Sequence, residues 1–234
     1  MLLFAAIAMS VTALAHTFPA PFLLEWMAPG RAVWRMPTRG VPTVYLTYDD
    51  GPNPSTTPDL LDLLARERVH ATFFLIDEHI TNDTAPIVRR ILLEGHAIGL
   101  HSSTRRFMLM KPEELARTLG AAANRIEEAG GRRPCAAFRP HAGWRGGRMY
   151  EGLREIDYRL VGWGWMLWDF NWFRARDGDS TFGRLAPRIS DGDIVVMHDG
   201  DESAPTRDQR HTVVATSLLI PELRSRGFTF GTVC

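Results

Sequence analysis

From Thr43 onward, short β-branched or aromatic runs alternate with stretches in which apolar residues recur every three or four positions. Alternation of short apolar runs with helix-period stretches predicts repeated β-α units, hence an α/β fold with a mainly parallel sheet or barrel. Seven runs read as strands: Val44–Asp49, Ala71–Ile76, Ala97–His101, Ala136–Pro140, Arg159–Leu167, Asp193–His198 and Phe228–Val233. After the first, Thr56 with Asp59 three residues on resembles a capping box, and Leu60, Leu61, Leu64 and Val69 then form one apolar helical face. Later faces follow at Ile87, Ile91 and Leu92; at Leu115, Leu119, Ala122 and Ile126; at Met149, Leu153 and Ile156; and at Val213, Val214 and Leu218. No sequence repeat or low-complexity tract interrupts this order.

Length and composition narrow the class. The 234 residues suit one large domain, and 45% hydrophobic with 23% charged residues excludes a disordered or fibrous chain. Lys+Arg 27 balances Asp+Glu 27, so the chain lacks the basic footprint of a nucleic-acid binder, and a neutral polymer is the more natural partner. Lys111 is the only lysine; arginine supplies every other basic side chain.

Residues 1–15 carry no charged side chain, and Ala13-Leu14-Ala15 before His16 fits a signal-peptidase site. Export is expected. No basic residue precedes the apolar run, which is shorter than the roughly 20 residues of a membrane span unless Phe18–Leu24 extend it past Pro19 and Pro21. A cleaved signal and an N-terminal membrane anchor both stay open for 1–15, with a buried helix ranked behind them. Residues 16–42 read as a linker and 43–234 as the folded domain. Cys135 and Cys234 are too few for a disulfide scaffold, and sequence leaves one bridge or two thiols open.

The chemistry collects where the apolar runs stop. Asp49 and Asp50 follow the first, His101 the third, Arg139 the fourth and His198 the sixth. In parallel α/β folds the C-terminal strand ends form the active-site face, so these runs deliver two carboxylates, two imidazoles and a guanidinium to one rim. Singly, an Asp-Gly-Pro is a turn and a lone His a structural residue; the joint placement carries the inference. A phosphoryl-transfer reading of the Asp pair is a weak third alternative, because no Gly-rich phosphate loop accompanies it.

Thr47-Tyr-Asp-Asp-Gly-Pro52, Ala71-Thr-Phe-Phe74, Gly95-His-Ala-Ile-Gly-Leu-His-Ser102, Phe138-Arg-Pro-His-Ala-Gly143 and Val195-Val-Met-His-Asp199 together resemble the ordered motifs of the NodB-type polysaccharide deacetylases, carbohydrate esterase family 4. The resemblance runs from about Thr43 to Val233 and implies a distorted (β/α) barrel of about seven parallel strands. It implies a hydrolase removing N- or O-acetyl groups from an extracytoplasmic glycan, with Asp49 as base, Arg139 orienting it, His198 as general acid, and Asp50 and His101 holding a divalent metal such as Zn²⁺. Pro140, Trp168 and Trp172, with Trp165 beside them, are candidate sugar contacts, a flat apolar face suiting a pyranose ring; core packing competes for at least one tryptophan. The alternative is a catalytically impaired, carbohydrate-binding descendant of the same fold.

Two positions depart from the family. Arg105 stands four residues after His101 where the family has a second His, and an arginine has no lone pair for a metal. Three arrangements are compatible with this: Arg105 turns away and leaves a weak two-ligand site, His141 steps in, or Arg105 pairs with Asp50 in place of a metal. Asn171 aligns with the family's Asp before the motif tryptophan, and Asp169 replaces it only if the loop takes a different path.

Overall fold

The computed structural model describes residues 4, 7, 32–38, 40–164, 167–169 and 176–234. The expected signal or anchor segment, most of the expected linker, and Trp165, Asn171 and Trp172 lie outside these. Among the described residues no helix is long and apolar enough to cross a membrane.

Among the described residues eight parallel strands form the sheet: β1 (Ala32–Val33), β2 (Thr43–Gly51), β3 (Thr72–Leu75), β4 (Ala97–His101), β5 (Ala137–Arg139), β6 (Arg159–Val161), β7 (Ile194–His198) and β8 (Thr229–Phe230). Their order is β1-β6-β5-β4-β3-β2-β7, with β8 beside β2. An isolated bridge between Arg35 and Asp193 joins the two ends of this path, so the sheet curls into a distorted barrel. Among the residues from 32 onward that are described, six α-helices cover it: α1 (Thr57–Glu67), α2 (Ala85–Leu93), α3 (Pro112–Gly130), α4 (Gly147–Glu155), α5 (Gly178–Leu185) and α6 (Arg210–Ser225).

Each expected strand run contains a strand, but the ends differ for physical reasons. The run from Arg159 stops as a strand at Val161, beyond which the Gly162 N–H still donates to the Val33 carbonyl (2.8 Å) but the Gly164 N–H crosses to the Ile194 carbonyl (2.9 Å), so no single partner strand is kept. Strand β1 falls inside the segment read as linker; two residues are too few to register as a run, yet they pair with Leu160 and Val161. The core is one large cluster between helices and sheet, led by Tyr48, Phe73, Phe138 and the leucines of α1.

Two local expectations are corrected. Thr56 caps α1 by position but makes no side-chain cap bond; its Oγ1 accepts instead from the Gln209 N–H at 3.0 Å. On α6 the buried face is not Val213, Val214 and Leu218 but Thr212, Ala215, Thr216, Leu219, Ile220 and Leu223, with Val214 exposed. Hydroxyl bonds explain the rotation: Thr212 donates to the His198 carbonyl (2.8 Å) and Thr216 meets the Tyr48 hydroxyl (3.0 Å). A threonine with its hydrogen bond satisfied is buried as readily as a valine, and a purely apolar reading overlooks it.

Candidate active site

Successive strand residues face opposite sides of a sheet, so Asp49 and Asp50 cannot both enter one site from a regular strand. A register shift at Asp49/Gly51 breaks the alternation, and Asp50 adopts a left-handed backbone (φ 69°) at the bulge. Both carboxylates then line one cleft of about 400 Å³ with His101, Arg105, Pro140, His141, Trp163 and His198. The bulge is held from below: His79 donates through Nδ1 to the Asp50 carbonyl (3.0 Å), and the Gly200 N–H donates to that of Asp49 (3.2 Å).

Arg139 is wholly buried and gives Nη1 to Asp49 Oδ1 (2.6 Å) and Thr47 Oγ1 (2.7 Å), while Nη2 reaches the Gly162 carbonyl (2.9 Å). Its guanidinium carbon lies 4.0 Å from the Phe74 ring centroid, a stacked, desolvated seat that fixes the fork and with it Asp49. At the end of β7, His198 donates from Nδ1 to Asp169 Oδ1 (2.6 Å), and its backbone N–H reaches the other carboxylate oxygen (2.7 Å). Burial would push the His198 pKa down, but the Asp169 carboxylate, with Asp50 and Asp49, raises it to about 10. Asp169 therefore occupies the place at the imidazole for which sequence left Asn171 and Asp169 in competition.

His101 donates from Nδ1 to the Arg139 carbonyl (2.7 Å), an oxygen that only accepts. In the neutral ring this leaves the lone pair on Nε2, which lies 3.1 Å from Asp50 Oδ1. That oxygen is buried and, among the described residues, has no partner in hydrogen-bond geometry. Burial raises the Asp50 pKa, but the adjacent His101 ring, followed by His198 and His141, takes it below the usual carboxylate range. Two converging donors at this separation suit two ligands of one ion with bonds of about 2.0–2.2 Å. The donor set thus fits a divalent metal on Asp50 and His101, although among the described residues no three acidic, imidazole or thiol groups form a closed metal cluster.

Arg105 does not pair with Asp50; its guanidinium carbon lies 5.8 Å from the Trp144 ring centroid. His141 Nδ1 lies 2.6 Å from Glu202 Oε2, and burial, followed by the charge of His101, lowers its pKa to about 4. Pro140 lines the cleft, but Trp168 does not: it is buried with Trp163 and Val196, bridged to Val196 through its backbone. Trp163, not singled out from sequence, lines the cleft instead. Asp199, also missed, lies buried beneath the bulge, takes the Thr57 hydroxyl bond, and is raised to about 7 by burial and then by Asp50. Its place immediately after His198, just past the sixth run, was the available signal. His79 offered none, being a lone histidine at the end of a single 3₁₀ turn, Asp77–His79.

The sequence profile of the polysaccharide deacetylases matches residues 37–161. The chain is 30% identical to the peptidoglycan-N-acetylglucosamine deacetylase of Bacillus cereus, across 87% of this chain and 92% of that one. It is 35% identical to the chitooligosaccharide deacetylase of Sinorhizobium fredii, across 81% and 89%. Among solved structures, a family 4 acetyl xylan esterase from Clostridium thermocellum in complex with a cobalt ion superposes with a TM-score of 0.70 at 28% identity, covering 82% of this chain and 88% of that one. The chain belongs to the polysaccharide deacetylase family.

Proposed function

We propose that this protein is a hydrolase that removes N- or O-linked acetyl groups from an extracytoplasmic glycan by metal-assisted general acid/base chemistry. One observation carries the reading: the Asp49–Arg139 and Asp169–His198 pairs open into a single cleft. Asp50 and His101 would hold a divalent ion, which would supply Lewis-acid polarisation of the acetyl carbonyl. Asp49, aimed by Arg139, accepts the proton of the attacking water. His198, held as imidazolium by Asp169, gives its proton to the departing amine or alkoxide, and the C–N or C–O bond breaks as acetate leaves. Pro140 and Trp163 offer apolar surface to the sugar ring, and Trp172 is proposed as a further aromatic contact. The Cys135–Cys234 disulfide supports an oxidising compartment, and with it export, through a cleaved signal or a membrane anchor in residues 1–15.

The test is acetate release from acetylated chitooligosaccharide, peptidoglycan and xylan, each with Zn²⁺ or Co²⁺ supplied. Release from one of them is the expected result. Glycan binding without release from any of the three overturns the hydrolase reading in favour of a binding-only descendant.

A further inference from the structure

A net charge of zero describes the whole chain and not its cleft. Apart from Asp50, the histidines and the two acid–base pairs, the charged side chains lining the cleft are Arg105, Arg176, Arg207, Asp201 and Glu202, three guanidiniums against two carboxylates. Two of the three guanidiniums share one carboxylate. Asp201, in the loop between β7 and α6, is buried, and its Oδ1 accepts from the Ser203 N–H (3.1 Å), the Ser203 hydroxyl (2.9 Å) and the Ala204 N–H (3.0 Å), so its own turn fixes it. Its Oδ2 then meets Nη1 of Arg207 and, at 3.8 Å, Nη1 of Arg176. Arg176 also donates from Nη1 to Oε1 of Gln209 (2.9 Å), a buried side chain whose own amide is spent on the Gly200 carbonyl (2.8 Å).

One carboxylate cannot neutralise two guanidiniums, so the pair keeps a positive charge. Each guanidinium carries five N–H donors in a planar fork that matches a carboxylate. Among the described residues Nε and Nη2 of both arginines have no hydrogen-bond partner, and 54% of the Arg176 side chain and 50% of that of Arg207 are exposed. Two forks are thus held from behind by buried groups, with most of their donors unspent. That is the preorganisation an anion site needs, since the side chains are ordered before the anion arrives. Glu202 is the nearby carboxylate that would oppose an anion, and it lies against His141, 2.6 Å from Nδ1.

We propose that Arg176 and Arg207 form a subsite for a carboxylate carried on a sugar next to the one that loses its acetyl group, so that the preferred substrate is an anionic acetylated glycan. The proposal rests on the hydrolase reading above and names the substrate class of that cleft. It is tested on the full chain, with Zn²⁺ supplied, using three acetylated oligosaccharides of equal length: a neutral chitooligosaccharide, one with lactyl-bearing N-acetylmuramic acid at alternate positions, and one with a uronic acid there. Kd is read by calorimetry and kcat/KM by acetate release. A carboxylated oligosaccharide should be preferred over the neutral one by about 10-fold or more, and the preference should shrink as salt is raised. Whichever of the two is preferred identifies the source of the carboxylate. Arg176→Gln and Arg207→Gln should each cut the preference by about 3–10-fold, the share of a charge-assisted hydrogen bond left after solvent screening. Arg176→Lys and Arg207→Lys, which keep the charge and lose the fork, should retain part of it, and they serve if a glutamine form does not fold. Equal affinity for neutral and carboxylated oligosaccharides, or a preference that none of these substitutions moves, overturns the proposal. Arginine-dependent binding without acetate release from any of the three fails the hydrolase reading alone; acetate release without a charge preference fails this one alone.

Discussion

At the scale of single residues, each half of the proposed acid–base pair has its own test. Asp49→Asn keeps an oxygen for the Arg139 fork but cannot take a proton from water, so acetate release should fall by about 10²–10⁴-fold while fold and glycan binding persist. Unchanged turnover removes Asp49 from the role of base. For His198 the readout is pH. The folded-state pKa is raised to about 10, so the His198–Asp169 contribution to stability is full below the ordinary histidine value of about 6.5 and is lost as pH rises through about 10. The acidic form that donates the proton follows the same titration. Asp169→Asn removes the carboxylate that raises it, so the alkaline limb of the rate profile should move down toward neutrality. An alkaline limb that stays in place shows that another group sets it. These residues were legible because each ends an apolar run. His79 and Asp169 were not assigned in advance, since neither sits at a strand end and only the folded loop shows what it touches.

At the scale of elements, apolar run length located the strands well, because a barrel strand buried on both faces needs an unbroken run and its polar terminus stands out. The pattern failed where a polar residue took a core position, as Thr212 and Thr216 do on α6, or where a strand was as short as β1. It also could not show the bulge that turns Asp49 and Asp50 to one side, since that depends on the neighbouring loop. Gly200, just after β7, makes the bulge fit: a Cβ there would overlap the Asp50 carbonyl oxygen and crowd the Gly51 nitrogen. Gly200→Ala should therefore displace Asp50, lowering Tm and weakening Zn²⁺ binding together. Gly147→Ala, where a Cβ meets nothing nearby, is the control and should do neither. A Gly200→Ala protein with wild-type Tm and Zn²⁺ affinity shows that the junction has slack.

At the scale of the whole molecule, the fold brings together what the chain separates. Cys135, just before β5, is bridged to the C-terminal Cys234 across a sequence separation of 99 residues, a proximity that spacing alone could not reveal. Val233, beside the bridge, is buried and its N–H donates to Thr72 Oγ1 at 3.1 Å, so the C-terminus is packed across the sheet's end rather than trailing from it. Closing a loop of that length removes unfolded-state entropy equivalent to about 4–5 kcal/mol, and measured losses for native bridges are about 2–5 kcal/mol. For a domain of this size each kcal/mol is about 2–4 °C in Tm, so reduction, or Cys234→Ser, should lower Tm by about 5–15 °C. The cleft lies at the opposite ends of the strands from Thr72, which begins β3, so acetate release well below the lowered Tm should be retained. A thiol titration finding two free sulfhydryls in the unfolded, unreduced protein, with Tm insensitive to reductant, refutes the bridge and removes its support for an oxidising compartment.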